Sequence, residues 1–259
     1  MKSSYYKYFA ALLLFGSNGI VASNINLPSY EIVLLRLLLG SLFLIAVFMA
    51  SGQKFTFYRN KHTCLYLFIS ASAMGASWML LYEAYHQVGV SIASLAYYCG
   101  PVIVMILSPF LFRETLTWPK IAGFLTVLAG MCLVNLQALD EGKTIWGLFC
   151  GLMSAFMYAL MVTANKKAKP ESGLENSLLQ LVIGSFIVVA FVSMQKNFVL
   201  SLTTIDWIPV LLLGLLNTGI GCYLYFSSIT DLPVQTVAIC GYLEPLSAIV
   251  FSVLFLHEI

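Results

Sequence analysis

Nine stretches of roughly 20 apolar residues follow one another along the chain with few charges inside them, and this succession restricts the backbone more than any other feature. They run over 5–24, 30–51, 64–86, 91–112, 118–137, 145–165, 176–195, 206–227 and 234–256. A segment in lipid must satisfy its own N–H and C=O groups, which leaves helices or a closed barrel. Runs this long, without polar alternation, predict helices, so the fold class is all-α and integral to a membrane. Composition agrees: 60% of residues are apolar and only 9% are charged, with a mean hydropathy of +0.92, which excludes an ordinary water-soluble domain. The six cysteines show no paired spacing and read as small apolar residues, with no metal site or disulfide framework.

The spans repeat at an offset of 144 positions. Tyr98-Cys99-Gly100-Pro101 leads through an apolar run to Arg113-Glu114, and Tyr242-Leu243-Glu244-Pro245 leads through another to His257-Glu258. The same offset pairs Gly40-Ser41 with Gly184-Ser185, Glu31 with Glu175, and Gly75 with Gly219. The halves divide as 1–141 and 142–259. Five spans in the first half bring the second in from the opposite face, giving an inverted 5+5 repeat of the kind found in secondary transporters. The second half holds four spans, so the expectation is nine spans with the tenth helix missing from this chain. With the N-terminus in the cytoplasm, ten of the 13 basic residues fall on the inner side and two outside, Arg36 being intramembrane. That asymmetry predicts a multi-pass protein of the cell (inner) membrane with a cytoplasmic N-terminus.

These residues resemble the EamA-type group of the drug/metabolite transporter superfamily. The resemblance rests on Pro101 to Glu114 followed by Leu116-Thr117, Glu244-Pro245 to Glu258, Arg36 in the second span, and Gly123 with Gly130 in the fifth. It implies a secondary transporter of small metabolites such as amino acids or related compounds, commonly directed outward as efflux.

Several positions carry candidate chemistry on physical grounds. Glu244 lies about ten residues into its span, near the midplane, where an acid is expensive and usually functional. It is the candidate to bind a substrate amine or carry a proton, so the transport is read as open to proton coupling. Pro245 removes the backbone hydrogen bond to Gly241 and predicts a bend, as Pro101 does in the first half. Asn217, between Gly214 and Gly221, reads either as a pocket residue or as a helix-to-helix hydrogen bond. Tyr98 and Tyr242 head equivalent stripes: Ser91, Ser94, Tyr98, Pro101, Met105 and Ser108 in one half, and Gln235, Ala238, Tyr242, Pro245, Ile249 and Ser252 in the other. Trp78, Asn18 and Tyr158 add pocket candidates at mid-span depth, whereas Glu83 and His86 read as a solvated rim pair. Arg36 reads as structural, snorkelling or pairing with Glu31 or another helix. Gly147 and Gly151 form a GxxxG pattern, which permits a homodimer.

The sequence holds no phosphate-binding Gly-Lys-Ser/Thr loop and no HExxH, so ATP-driven transport, metalloenzyme chemistry, cofactors and nucleic-acid binding are not expected. The expected partners are a small-molecule substrate and the lipid bilayer, and the protein is not expected to be an enzyme. Two alternatives stand beside transport: an intramembrane lipid-modifying enzyme using Glu244 or His86, and a non-transporting subunit of a membrane complex.

Overall fold

The computed structural model describes residues 2–135, 145–194 and 207–256. The sequence marker at Glu258 and the division at 141 lie outside the described residues. Among those described, every regular element is helical. The helices are α1 (Lys2–Gly16), α2 (Asn18–Ser23), α3 (Ser29–Ala50), α4 (Lys61–Tyr97), α5 (Cys99–Phe112), α6 (Trp118–Asn135), α7 (Ile145–Ala168), α8 (Gly173–Ser193), α9 (Trp207–Leu211), α10 (Gly221–Ser228), α11 (Val234–Cys240) and α12 (Leu243–Phe251). A π-helical stretch, Leu212–Ile220, joins α9 to α10, and a second, Ser252–Leu256, follows α12.

Among the described residues, seven segments are long and apolar enough to cross a membrane: Tyr30–Ala50, Lys61–Val90, Ile92–Phe112, Ile145–Ala168, Gly173–Ser193, Trp207–Ser228 and Val234–Phe255. The chain is a multi-pass membrane protein. The helices α1 with α2, and α6, occupy the places of the other two apolar stretches seen in the sequence. α4 contains the reversal between two spans, made at Gly89 with φ 77° and ψ 163°, a conformation that a Cβ would strain.

Small residues and short polar bridges hold the bundle together, as expected where lipid offers no hydrophobic drive between helices. Ser77 Oγ donates to the Ser154 carbonyl at 2.9 Å, and Ser154 Oγ to the Ser77 carbonyl at 2.7 Å, stitching α4 to α7. Asn165 and Asn176 exchange side-chain hydrogen bonds at 2.9 and 3.1 Å, and Asn176 also donates to the Phe226 carbonyl. Interhelical bonds of this kind average about 0.6 kcal/mol each in membranes, so several act together to define the packing.

The 144-residue offset recurs in contacts. Ser41 Oγ lies 3.0 Å from Ser185 Oγ, where α3 meets α8, and Tyr242 Oη donates to the Tyr98 carbonyl at 2.8 Å. Each pair joins two positions equivalent in sequence. Glycine contacts behave alike: a Cβ on Gly75 would meet Ile187, and one on Gly219 would meet Phe43, which is Ile187 shifted by the same offset.

Both proline-bearing spans break just ahead of the proline. Tyr98 separates α4 from α5, and a turn at Gly241 and Tyr242 separates α11 from α12. Pro101 and Pro245 therefore occupy first turns, where the missing N–H costs least. The Gly241 carbonyl that Pro245 leaves without its usual donor accepts from Glu244 N at 3.2 Å.

Candidate functional site

A cavity of ≈ 430 Å³ lies inside the bundle, lined from α1 to α4, Tyr98 at the α4–α5 break, α7, α10, α12 and the first π-helical stretch. Both sequence halves contribute. Its walls are rich in aromatic side chains: Phe15, Trp78, Tyr82, Tyr85, Tyr97, Tyr98, Tyr158, Tyr225 and Phe226 all reach it. Arg36 and Glu244 are the two charged side chains in the lining.

Local structure explains why these groups point inward. Glu244 occupies the first turn of α12, immediately after the break, which turns it toward the cavity without help from an inward-facing stripe. Gly16 of α1 packs against this turn, and a Cβ there would lie 2.9 Å from the Glu244 carbonyl oxygen. A larger residue at Gly16 would displace the acid. Arg36 follows Ile32 by one helical turn, and both line the cavity. Its Nε donates to Thr218 Oγ1 at 3.1 Å, and its guanidinium lies 4.4 Å from the centroid of the Trp78 ring. Thr218 directs its own proton to the Leu213 carbonyl at 2.8 Å, an i to i−5 bond matching the π-helical register. Its oxygen is thereby left to accept from Arg36.

On another side, Tyr158 and Tyr225 place their hydroxyls 3.3 Å apart, and Tyr225 packs on Tyr8 and Phe15 with ring centroids at 5.6 and 5.8 Å. Tyr8 Oη donates to the Val237 carbonyl at 2.8 Å, and the side chain is fully buried. Farther along, Glu114 receives the backbone N–H groups of Val234 at 2.7 Å and Gln235 at 3.0 Å, capping α11. Gln235 also accepts from Lys120 Nζ at 2.6 Å and donates to Ser108 at 2.9 Å. Lys166 Nζ donates to the carbonyls of Thr230 and, at 2.6 Å, Leu232. These bonds latch sequence-distant elements together at that end.

Of the pocket candidates, Glu244, Tyr98, Trp78, Asn18 and Tyr158 all line this one cavity. Asn217 and Tyr242 stand behind it. Asn217 donates to the Leu14 carbonyl, to Ser17 Oγ and to Asn18 Oδ1 at 2.9 to 3.0 Å, securing the junction of α1 and α2. Tyr242 is 1% exposed and supports Tyr98 from beneath. Among the described side chains of the two semi-polar stripes, Tyr98 reaches the cavity, while Ser108 and Gln235 are consumed in the latch. Glu83 stays at the rim, accepting from Gln87 at 2.9 Å and Trp146 at 3.3 Å. Gly147 and Gly151 are buried within the chain, Gly151 against Ala96 and Ala84.

Sequence reasoning missed Arg36 as a lining residue; of the partners it allowed, Glu31 or another helix, the structure shows other helices, through Thr218 and Trp78. Its signal was present in the glycines around Thr218, which let α3 approach closely. Tyr97 was missed because neighbouring residues on a continuous helix diverge by about 100°, whereas the break at Tyr98 lets both tyrosines reach one cavity.

The profile of the EamA-like transporter family matches residues 3–136 and again residues 145–259. The chain belongs to this family. Over 96% of its length it is 28% identical to the uncharacterized transporter YxxF of Bacillus subtilis, covering 80% of that protein. It is 21% identical over 90% of its length to the biotin transporter of Escherichia coli K12, covering 77% of it. A solved crystal structure superposes with a TM-score of 0.83 at 19% identity, covering 98% of this chain and 88% of the other, so the two share a fold. Among the described residues no cluster of His, Cys, Asp or Glu could hold a metal ion. EamA-like membership and relatives named as transporters make this protein a membrane transporter.

Proposed function

We propose that the protein is a secondary, non-ATP transporter that exports small metabolites such as amino acids or related compounds, by alternating access between two inverted repeats. The observation that carries this reading is the aromatic cavity itself, to which both halves contribute and which contains one carboxylate and one guanidinium. The repeat units are 1–141 and 142–259, with nine spans between them. Support for an inverted arrangement comes from Ser41 against Ser185 and Tyr242 against Tyr98, because a two-fold axis brings equivalent residues face to face. The exchange of Gly75 with Ile187 for Gly219 with Phe43 supports the same axis.

In this reading Glu244, Trp78, Tyr98, Tyr158 and Asn18 contact the substrate, while Asn217 and Tyr242 hold the wall. Glu244 carries either the substrate's cationic group or a coupling proton, and the two halves rock about the cavity. The protein sits in the cell's inner membrane with its N-terminus in the cytoplasm, as the excess of basic residues on that side favours. The test is tracer flux of a labelled metabolite panel in proteoliposomes, with and without an imposed pH gradient. Saturable flux supports the transporter, and acceleration by the gradient supports proton coupling. Folded protein that gives no flux above empty liposomes, for any compound, refutes the reading.

A further inference from the structure

The two halves repeat one another at 144 residues, yet both charges in the cavity are departures from that repeat. Arg36 corresponds to Gln180, which is fully buried and bonded to Ser70 at 3.1 Å. Glu244 corresponds to Gly100, which packs against Tyr158, where a Cβ would lie 2.7 Å from the ring. A scaffold that needed a buried ion pair for stability would place the two charges in contact. Here neither Arg36 nor Glu244 has an oppositely charged side chain within ion-pair distance among the described residues. Each charge is expensive inside a membrane, and each opens onto one common cavity.

Arg36 is also held ready. Trp78 covers one face of the guanidinium, and Thr218, itself fixed by its bond to Leu213, takes the Nε–H. Arg36 also makes a side-chain hydrogen bond with Tyr82; of the five N–H donors of a guanidinium, further Nη–H groups are left, and these form the end of the fork that grips a carboxylate. Fixing the guanidinium plane in advance reduces the ordering cost of binding.

We propose that Arg36 binds the carboxylate of the cargo while Glu244 meets its cationic group, so that the cavity selects a dipolar molecule against compounds bearing one charge or none. This inference rests on the transporter reading above and names the chemistry that reading leaves open. A zwitterion supplies each lone charge with its counterpart and crosses with no net charge, while the tyrosine and tryptophan walls receive its apolar body.

The test uses the full-length protein in proteoliposomes. The probes are labelled amino acids, with three analogues of each carried compound: the carboxamide, the decarboxylated amine and the N-acetyl acid. Wild-type protein should carry the zwitterion and discriminate against every analogue by about tenfold or more, the scale of one charge-assisted hydrogen bond. Arg36→Gln should lower zwitterion flux by a similar factor while leaving carboxamide flux near its wild-type level, and Arg36→Lys should recover part of the loss. Size-exclusion behaviour and thermal unfolding separate a local effect from misfolding, and Trp78→Phe, which keeps the charge, serves if Arg36→Gln fails to fold. That variant should raise KM for the zwitterion more than for its carboxamide. Equal losses for zwitterion and carboxamide overturn the proposal, as does robust flux of an uncharged compound with none for zwitterions; either result leaves the transporter reading standing. No flux of any compound overturns both.

Discussion

Tyr98 and Tyr242 hold equivalent places in the two halves, but their surroundings differ. Tyr98 lines the cavity, whereas Tyr242 is 1% exposed and donates its hydroxyl to the Tyr98 backbone. Two positions farther along, Gly100 is packed under Tyr158 while its counterpart Glu244 opens into the cavity. One half thus supplies support and acid where the other supplies wall and clearance. The repeat builds a scaffold, and departures from it place charge where a substrate can reach. Tyrosine against tyrosine is a difference of conformation, since the residues are the same; glycine against glutamate is a difference of chemistry.

The chemical difference should give the largest effect. Glu244→Gln keeps the shape and removes the charge, and transport by correctly folded protein is expected to fall to background in the proteoliposome assay. Flux preserved near wild type would reduce the acid to a structural part. The next test compares equivalent glycines. A Cβ on Gly75 would lie 2.9 Å from the Gly184 carbonyl oxygen and 2.9 Å from Ile187 Cβ, both fixed close to the backbone. On Gly219 it would meet Phe43 Cδ1 at 2.7 Å, the ring of a half-buried side chain that can turn away. Gly75→Ala should therefore cost about 1–3 kcal/mol through overpacking, and Gly219→Ala distinctly less. Thermal unfolding in detergent measures both, and equal losses would show that the two crossings are alike after all.

A smaller effect is expected at the latch, which has no described counterpart in the other half. Glu114→Gln retains an acceptor but loses the charge-assisted bonds to Val234 and Gln235, for a loss of about 1 kcal/mol on the scale of helix caps. Glu114→Ala should cost more, up to about 2 kcal/mol, with the difference read from the same unfolding curves.

Helix positions and the pocket candidates on unbroken helices were legible in the sequence, because apolar length and polarity at depth are local properties. Trp78 and Tyr158 reach the cavity for that reason, whereas Asn18 reaches it from the start of α2, just past the break after α1. The remainder depends on partners that periodicity does not name. Depth alone left Asn217 open between a pocket residue and a helix-to-helix hydrogen bond, and its amide is spent on the break between α1 and α2. Gln235 and Ser108 looked like parts of inward stripes, yet they bond each other across the latch. Arg36 was read as structural because a guanidinium near the membrane surface can snorkel, and only the approach of Thr218 and Trp78 turns it into the cavity.

The smallest effect bears on the tyrosine pair itself. Removing the Tyr242 hydroxyl deletes one hydrogen bond, about 1 kcal/mol. The Tyr98 hydroxyl bonds to no described residue, so Tyr98→Phe should leave the stability of this conformation unchanged. The proposed alternating access between inverted halves would give the comparison a second side: in the opposite-facing state Tyr98 would take the buried place and donate to Tyr242. Tyr242→Phe then weakens only the conformation described here, and Tyr98→Phe only the other. Each single substitution should tilt the equilibrium by about fivefold, the factor for 1 kcal/mol, in opposite directions. The readout is the alkylation rate of Val90→Cys, a cavity-lining position 63% exposed, in a cysteine-free background. Labelling should slow with Tyr242→Phe, quicken with Tyr98→Phe, and return close to the parent rate in the double variant. Shifts in the same direction, or a double variant that adds where it should cancel, would mean that the tyrosines do not exchange places and that their difference is a fixed property of the fold.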